Sequence, residues 1–126
     1  MYTTTKDTTA LMLSGVTVPA RWDYSSMDPL AVHLQLHTGP AYVDWQFSRD
    51  LLLAGMTADE WVGQGDVRVR RGDEDFVAIY LDVDGQAATL LFRLVDVSQF
   101  IARSLLEMPI GDEQIDTDLL ATTSMG

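Results

Sequence analysis

His33 and His37 are the only two histidines in a chain of 126 residues. They stand in a run from Leu30 to His37 that alternates apolar and polar, so both face the same side of a half-buried strand. Four residues along a strand is ~13 Å, too far to share one ion, and no clustered ligand set accompanies them. Asp82-Val83-Asp84-Gly85 resembles the start of a calcium loop but lacks the spacing and the closing glutamate. It reads better as a hairpin turn. Gly63-Gln64-Gly65 has no third glycine and no helix behind it, so it is no dinucleotide loop. There is no cysteine, which removes thiolate metal sites, disulfides and cysteine nucleophiles. No serine, histidine and carboxylate can be brought together by spacing. These residues give no metal, no cofactor and no argument for an enzyme.

What remains is recognition chemistry. Nineteen acidic residues face eight basic ones, for a net charge of −11, and Lys6 is the only lysine. Such a surface repels phosphate backbones and anionic membranes. Arg68, Arg70 and Arg71 form the one basic cluster. It can hold an acidic partner or a phosphate. The favoured alternative is neutralisation by the neighbouring Asp73-Glu74-Asp75, because exposed charge clusters are usually solvated. Trp22, Tyr24 and Trp61 fall in expected loops, as core plugs or as interface anchors. Loop 20–29 sets Trp22 and Tyr24 beside Arg21, Asp23 and Asp28, so anchors and a charged rim lie together. Arg21, Trp22, Tyr24, Asp28, Arg68, Arg70 and Arg71 are therefore the candidate partner-binding residues. The competing reading is that Trp22 plugs the sheet end, since tryptophan is mostly buried.

The elements that must position these groups follow from periodicity. The length suits one domain over residues 1–126. Residues 1–7, threonine-rich and terminal, read as disordered. Thr8 to Val18 reads as a strand stopped by Pro19. Leu30, Val32, Leu34 and Leu36 define the next strand, and Val43, Trp45 and Phe47 another, with Trp45, Phe47 and Phe76 assigned to the core. Ser48 caps a short helix that ends at Gly55. In the connection 56–64, Trp61 is expected to be shielded. Val67 and Val69 point in while Arg68 and Arg70 point out. Strands at 76–83 and 87–94 meet at Asp84-Gly85. Asp96 reads as an N-cap with Gln99 completing a capping box, and a helix follows to Met108, stopped by Pro109. Residues 110–126 form an acidic tail. The fold class is α+β: a mostly antiparallel sheet of about six strands in two halves, each followed by a helix. No apolar run reaches the ~18–20 residues of a membrane span, and the first residues lack the apolar core of a signal peptide, so the cytoplasm is expected.

Residue order adds a resemblance. Val18-Pro19-Ala20, Tyr24, Asp28-Pro29, Ala31-Val32-His33, His37-Thr38-Gly39, Trp45, Phe47, Arg49-Asp50-Leu51-Leu52, Gly55, and Gly63 with Gly65-Asp66-Val67-Arg68-Val69 resemble the SsgA-like family of sporulation and cell-division regulators of actinobacteria. Phe100-Ile101, Pro109 with Gly111, and Ile115-Asp116 with Asp118 extend it. Arg21 stands where a glycine is usual, and Leu30 replaces an aromatic. The resemblance implies a non-enzymatic adaptor concentrated at division septa, acting on FtsZ, on another SsgA-like protein or on septal cell-wall machinery. It also implies a homo-trimer with a whirly-like fold, similar to single-stranded nucleic-acid-binding proteins. Nucleic-acid binding on that scaffold is the alternative function, against which the charge argues.

Overall fold

Threonine is β-branched and favours extended backbone. In the computed structural model, which describes residues 3–83 and 85–110, the opening threonines form a strand rather than a disordered end. β1 (Thr4–Met12) pairs antiparallel with β2 (Thr17–Tyr24), from Thr4 opposite Tyr24 to Leu11 opposite Thr17. The expected strand 8–18 is thus two strands. Gly15, at φ 92°, turns the chain between them in the left-handed region that favours glycine. Met12 N–H closes the turn on the Val16 carbonyl at 2.8 Å. Pro19 does not stop β2. Pairing of β2 with β3 (Ala31–His37) begins only at Ala20 opposite Leu36, so the missing N–H of Pro19 costs no bond to β3.

β3 alternates as its sequence requires: Val32, Leu34 and Leu36 are buried, while Leu30 lies outside the strand and is exposed. β4 (Tyr42–Ser48) pairs with β3 along its whole length. It is an edge strand, which leaves Val43 exposed and Trp45 half-buried. Phe47 is in the core; Trp45 and Phe76 are only partly buried, a correction to their assignment. Trp45 instead lines an apolar groove of about 360 Å³ with Val18, Leu36, Leu81 and Leu90.

Ser48 caps α1 (Arg49–Gly55), its hydroxyl accepting from Leu51 N–H at 3.1 Å. β5 (Val67–Arg71), β6 (Phe76–Val83) and β7 (Gln86–Arg93) form a second antiparallel group. Val83 pairs with Gln86 across the expected hairpin, with Gly85 at φ 82°. α2 (Leu94–Glu107) starts two residues before the expected cap. Arg93 occupies the N-cap without a side-chain bond; a tertiary bond from Leu94 N–H to the Asp75 carbonyl, 2.7 Å, satisfies a donor of the first turn instead. Asp96 sits in that turn and accepts from the Thr8 hydroxyl at 2.7 Å, with Lys6 Nζ 3.9 Å away. Gln99 accepts from Lys6 at 2.8 Å rather than closing a capping box.

The architecture is α+β, with seven strands among the described residues rather than the expected six, in one curled antiparallel sheet of order β4-β3-β2-β1-β7-β6-β5. The two halves meet at a narrow seam, where, among the described residues, Leu11–Leu91 and Met12–Leu90 alone pair. Both helices pack on the inner face, α1 against β5 and α2 against β1, β6 and β7. Val97, Phe100 and Ile101 of α2 close over Trp22, Phe92 and Ile79 in one apolar core. The expected acidic tail, from 111 onward, lies outside the described residues.

Candidate partner-binding face

Directly opposed residues in an antiparallel pair share a face. The side facing away from the helices is therefore set by register. On β1 to β4 it carries Thr5, Asp7, Arg21, Asp23, His33, Gln35, Asp44 and Gln46. On β5 to β7 it carries Arg68, Arg70, Phe76, Ala78, Tyr80, Asp82, Ala87, Thr89, Leu91 and Arg93. One molecule thus presents an acid-rich half and a basic, aromatic half on one outer surface.

The acid-rich half is internally braced. Arg21 Nε lies 3.5 Å from Asp7 Oδ1 and 3.6 Å from Asp23 Oδ1. Asp23 also accepts from the Thr5 hydroxyl at 2.9 Å. His33 stands between two carboxylates, 3.9 Å from both Asp28 and Asp44, and Gln46 donates to Asp28 at 3.5 Å. His37 instead packs on Tyr42, ring centroids 5.6 Å apart. The two imidazoles have separate partners, as their spacing requires.

Among the seven candidate residues, the structure separates what the sequence grouped. Trp22 and Tyr24 are strand residues of β2, not loop residues, and both are fully buried. The parity that puts Arg21 and Asp23 outside puts these two rings inside. Trp22 packs edge-on against Phe92 at 5.2 Å and Phe47 at 6.0 Å, and tilted against Phe100 at 5.6 Å. Neither ring is presented to a partner. Arg21 and Asp28 are exposed, but engaged by the contacts above.

The arginine cluster divides as well. Arg68 and Arg70 lie outside, while Arg71 shares the inner face with Val69 and Val77. Arg71 clamps the following turn: Nε donates to the Asp73 carbonyl at 3.0 Å and the guanidinium to the Glu74 carbonyl at 2.6 Å. The expected neutralisation by carboxylates is replaced by bonds to main-chain oxygens, because the tight turn at Gly72 brings the backbone, not the side chains, to Arg71. Arg68 lies over the Tyr80 ring at 5.4 Å and Arg70 over the Trp61 ring at 5.7 Å. The rings meet edge-on at 6.1 Å. Trp61 is 40% exposed, not shielded as expected. It joins the cluster because Val62 bridges Val69, which sets Trp61 beside Arg70.

One buried arginine escaped the sequence reading. Arg49 is buried at the start of α1, donates to the Ser104 carbonyl at 3.0 Å and lies 4.9 Å over the Tyr24 ring. Tyr24 in turn donates to the Pro29 carbonyl at 3.1 Å. These contacts tie α1, α2 and β2 together. An arginine at the first helical position otherwise reads as solvated, so the sequence held no signal for it.

The model of the Streptomyces sporulation and cell division protein SsgA matches residues 18–113. The chain belongs to the SsgA family. Within the family it is similar to SsgB proteins. It is 36% identical over 110 residues to the sporulation-specific cell division protein SsgB of Streptomyces coelicolor, covering 84% of this chain and 79% of the relative. Identity to SsgB of Salinispora tropica is 39% over 111 residues, covering 81% and 74%. The fold agrees with a solved structure of an SsgA-like sporulation-specific cell division protein from Thermobifida fusca, at TM-score 0.79 and 30% identity, covering 91% and 90%. An SsgB structure studied with mutations that correlate to longitudinal cell division during sporulation of Streptomyces coelicolor also superposes at 0.79, with 34% identity, covering 90% and 93%. The seven-stranded sheet and its two helices are thus the family's architecture in this SsgA-family chain.

Proposed function

We propose that this SsgA-family protein regulates sporulation-specific cell division as a non-enzymatic adaptor, working through protein contacts at the septum. The observation that carries this reading is the match to proteins named for that division over four-fifths of the chain, with the fold preserved at TM-score 0.79. FtsZ, a second SsgA-like protein and the septal cell-wall machinery are the partners to test. The outer sheet face suits such a role, since it offers charged groups and part-exposed aromatics on a rigid frame. Among the described residues no helix is long and apolar enough to cross a membrane. We also propose assembly as a homo-trimer. Exposed apolar groups such as Leu106 on α2, 84% accessible, support self-association. Light scattering at micromolar concentration should give three times the monomer mass.

The adaptor reading is tested by capture. The tagged protein, cross-linked in sporulating hyphae of its native host, should recover division proteins, and a fluorescent fusion should form ladders at septa. Diffuse fluorescence throughout sporulation would contradict it. The competing ligand is single-stranded nucleic acid on a whirly-like scaffold. Salt-sensitive micromolar binding of an oligonucleotide in a gel shift would favour that reading instead.

A further inference from the structure

We propose that Arg68 and Arg70, held over Tyr80 and Trp61, form a docking face for an extended acidic peptide of a partner protein, one with carboxylates two residues apart. This rests on the adaptor reading and names the chemistry of one partner segment.

Four observations carry it. First, both guanidiniums are uncommitted to acid: among the described residues no ion pair within 4.0 Å involves either of them. In a chain of net charge −11, two outward arginines with no carboxylate within 4.0 Å among the described residues can attract an anion; Asp82, on the same face beyond Tyr80, bounds the patch at one end. Second, they are pre-ordered. Each lies over a ring, and each Nε is anchored to a carbonyl, Arg68 to Gly65 at 3.4 Å and Arg70 to Arg71 at 3.2 Å. A planar guanidinium fixed in this way loses less freedom on meeting a carboxylate.

Third, the spacing selects the ligand. Two residues along β5 separate the arginines by ~6.7 Å on one face, the same separation as side chains i and i+2 of an extended peptide. An acid–any–acid segment places both carboxylates on the two guanidiniums and turns the middle residue away. Recognition runs through side chains, because part of the outer edge of β5 is already occupied. Val62 pairs with Val69 in both directions, at 2.9 and 3.0 Å, and Arg71 N–H bonds to the Ala58 carbonyl at 2.9 Å.

Fourth, the patch is too short for a nucleic-acid strand. The outer-face neighbours of Tyr80 and Ala78 on β7 are Thr89 and Leu91, neither of them basic; Asp82 follows Tyr80 on β6, and Arg93, opposite Phe76, is a single separate cation at the other end. Beyond the seam lie Asp7, Asp23, Asp28 and Asp44. A phosphate chain following the sheet would run onto carboxylates, while a peptide with two acids ends before them.

The test uses the full chain and a fluorescein-labelled heptapeptide containing aspartate–threonine–aspartate, read by anisotropy at low salt. Binding is expected, it should weaken as salt rises, and the asparagine–threonine–asparagine peptide should not bind. Arg68→Ala with Arg70→Ala should weaken binding at least about tenfold with an unchanged melting temperature. If that variant does not fold, Arg68→Lys with Arg70→Lys keeps the charge and loses the flat stack, and a loss of about threefold or more is expected. No binding at about 1 mM peptide, equal binding by the arginine variants, or tighter binding of oligothymidylate than of peptide would each overturn the proposal. Failure here with septation still dependent on the chain sinks the docking face alone; septation independent of the chain sinks the division reading.

Discussion

Removing the Trp22 indole distinguishes a core residue from a partner anchor, the two roles its sequence allows. The side chain is fully buried and touches three aromatic rings at 5.2 to 6.0 Å, contributed by β4, β7 and α2. Trp22→Ala therefore opens a cavity where the two sheet halves meet a helix, and large-to-small changes of this kind cost about 3–5 kcal/mol. Unfolding entropy of about 2.1 cal/mol/K per residue makes 1 kcal/mol worth about 4 °C for a chain of 126 residues. The expected fall in Tm is about 11–19 °C, measured by circular dichroism and calorimetry at matched protein concentration. Trp22→Phe sharpens the test. The indole Nε1 is buried with no hydrogen-bond partner among the described residues, and an orphan donor costs about 1–3 kcal/mol. Phenylalanine keeps ring contacts and removes that donor, so it should lose less than half of what alanine loses. A Trp22→Ala protein that melts with the wild type, while failing to capture its partner, would refute the reasoning and return Trp22 to the surface.

Gly55→Ala should lower Tm by up to about 8 °C, because an added Cβ collides with Val69 Cβ and Cγ1 and lies 2.8 Å from the Val69 carbonyl. That overpacking costs about 1–3 kcal/mol, and the helical gain of about 1 kcal/mol offsets part of it. A rise in Tm would mean that α1 shifts freely on β5. Arg49→Ala should destabilise by about 3 kcal/mol through the lost bond to Ser104 and the lost stack on Tyr24. Arg49→Met, which refills the stem volume, should recover about half of it; chemical denaturation of the two variants checks the order, and equal midpoints would contradict it.

Strands were readable where one face is apolar. Val32, Leu34 and Leu36 announced β3, Val67 and Val69 announced β5, and Ser48 announced α1. β1 was missed at its start because its inner positions there are polar. Thr8 and Lys6 face α2 and find Asp96 and Gln99, a pairing across about ninety residues that no local pattern encodes. Pro19 hid the continuity of β2, and with it the burial of Trp22, because its tolerance depends on where β3 begins to pair. Of the candidate face, the outward direction of Arg68 and Arg70 was legible from alternation. The stacks on Tyr80 and Trp61 were not, since they need the register of β5 on β6 and the bridge from Val62. The position of Arg71 was lost for a simpler reason: a neighbouring acid in sequence offered its backbone in space.

The most direct test of the division role is a count of septa. The gene for this chain is deleted in its native host and hyphae are stained for cell wall during sporulation, with and without re-expression of the wild-type protein. Sporulation septa should be lost or misplaced while vegetative growth continues, and re-expression should restore regular ladders. Regular septation and normal spore chains in the deletion strain would contradict that role.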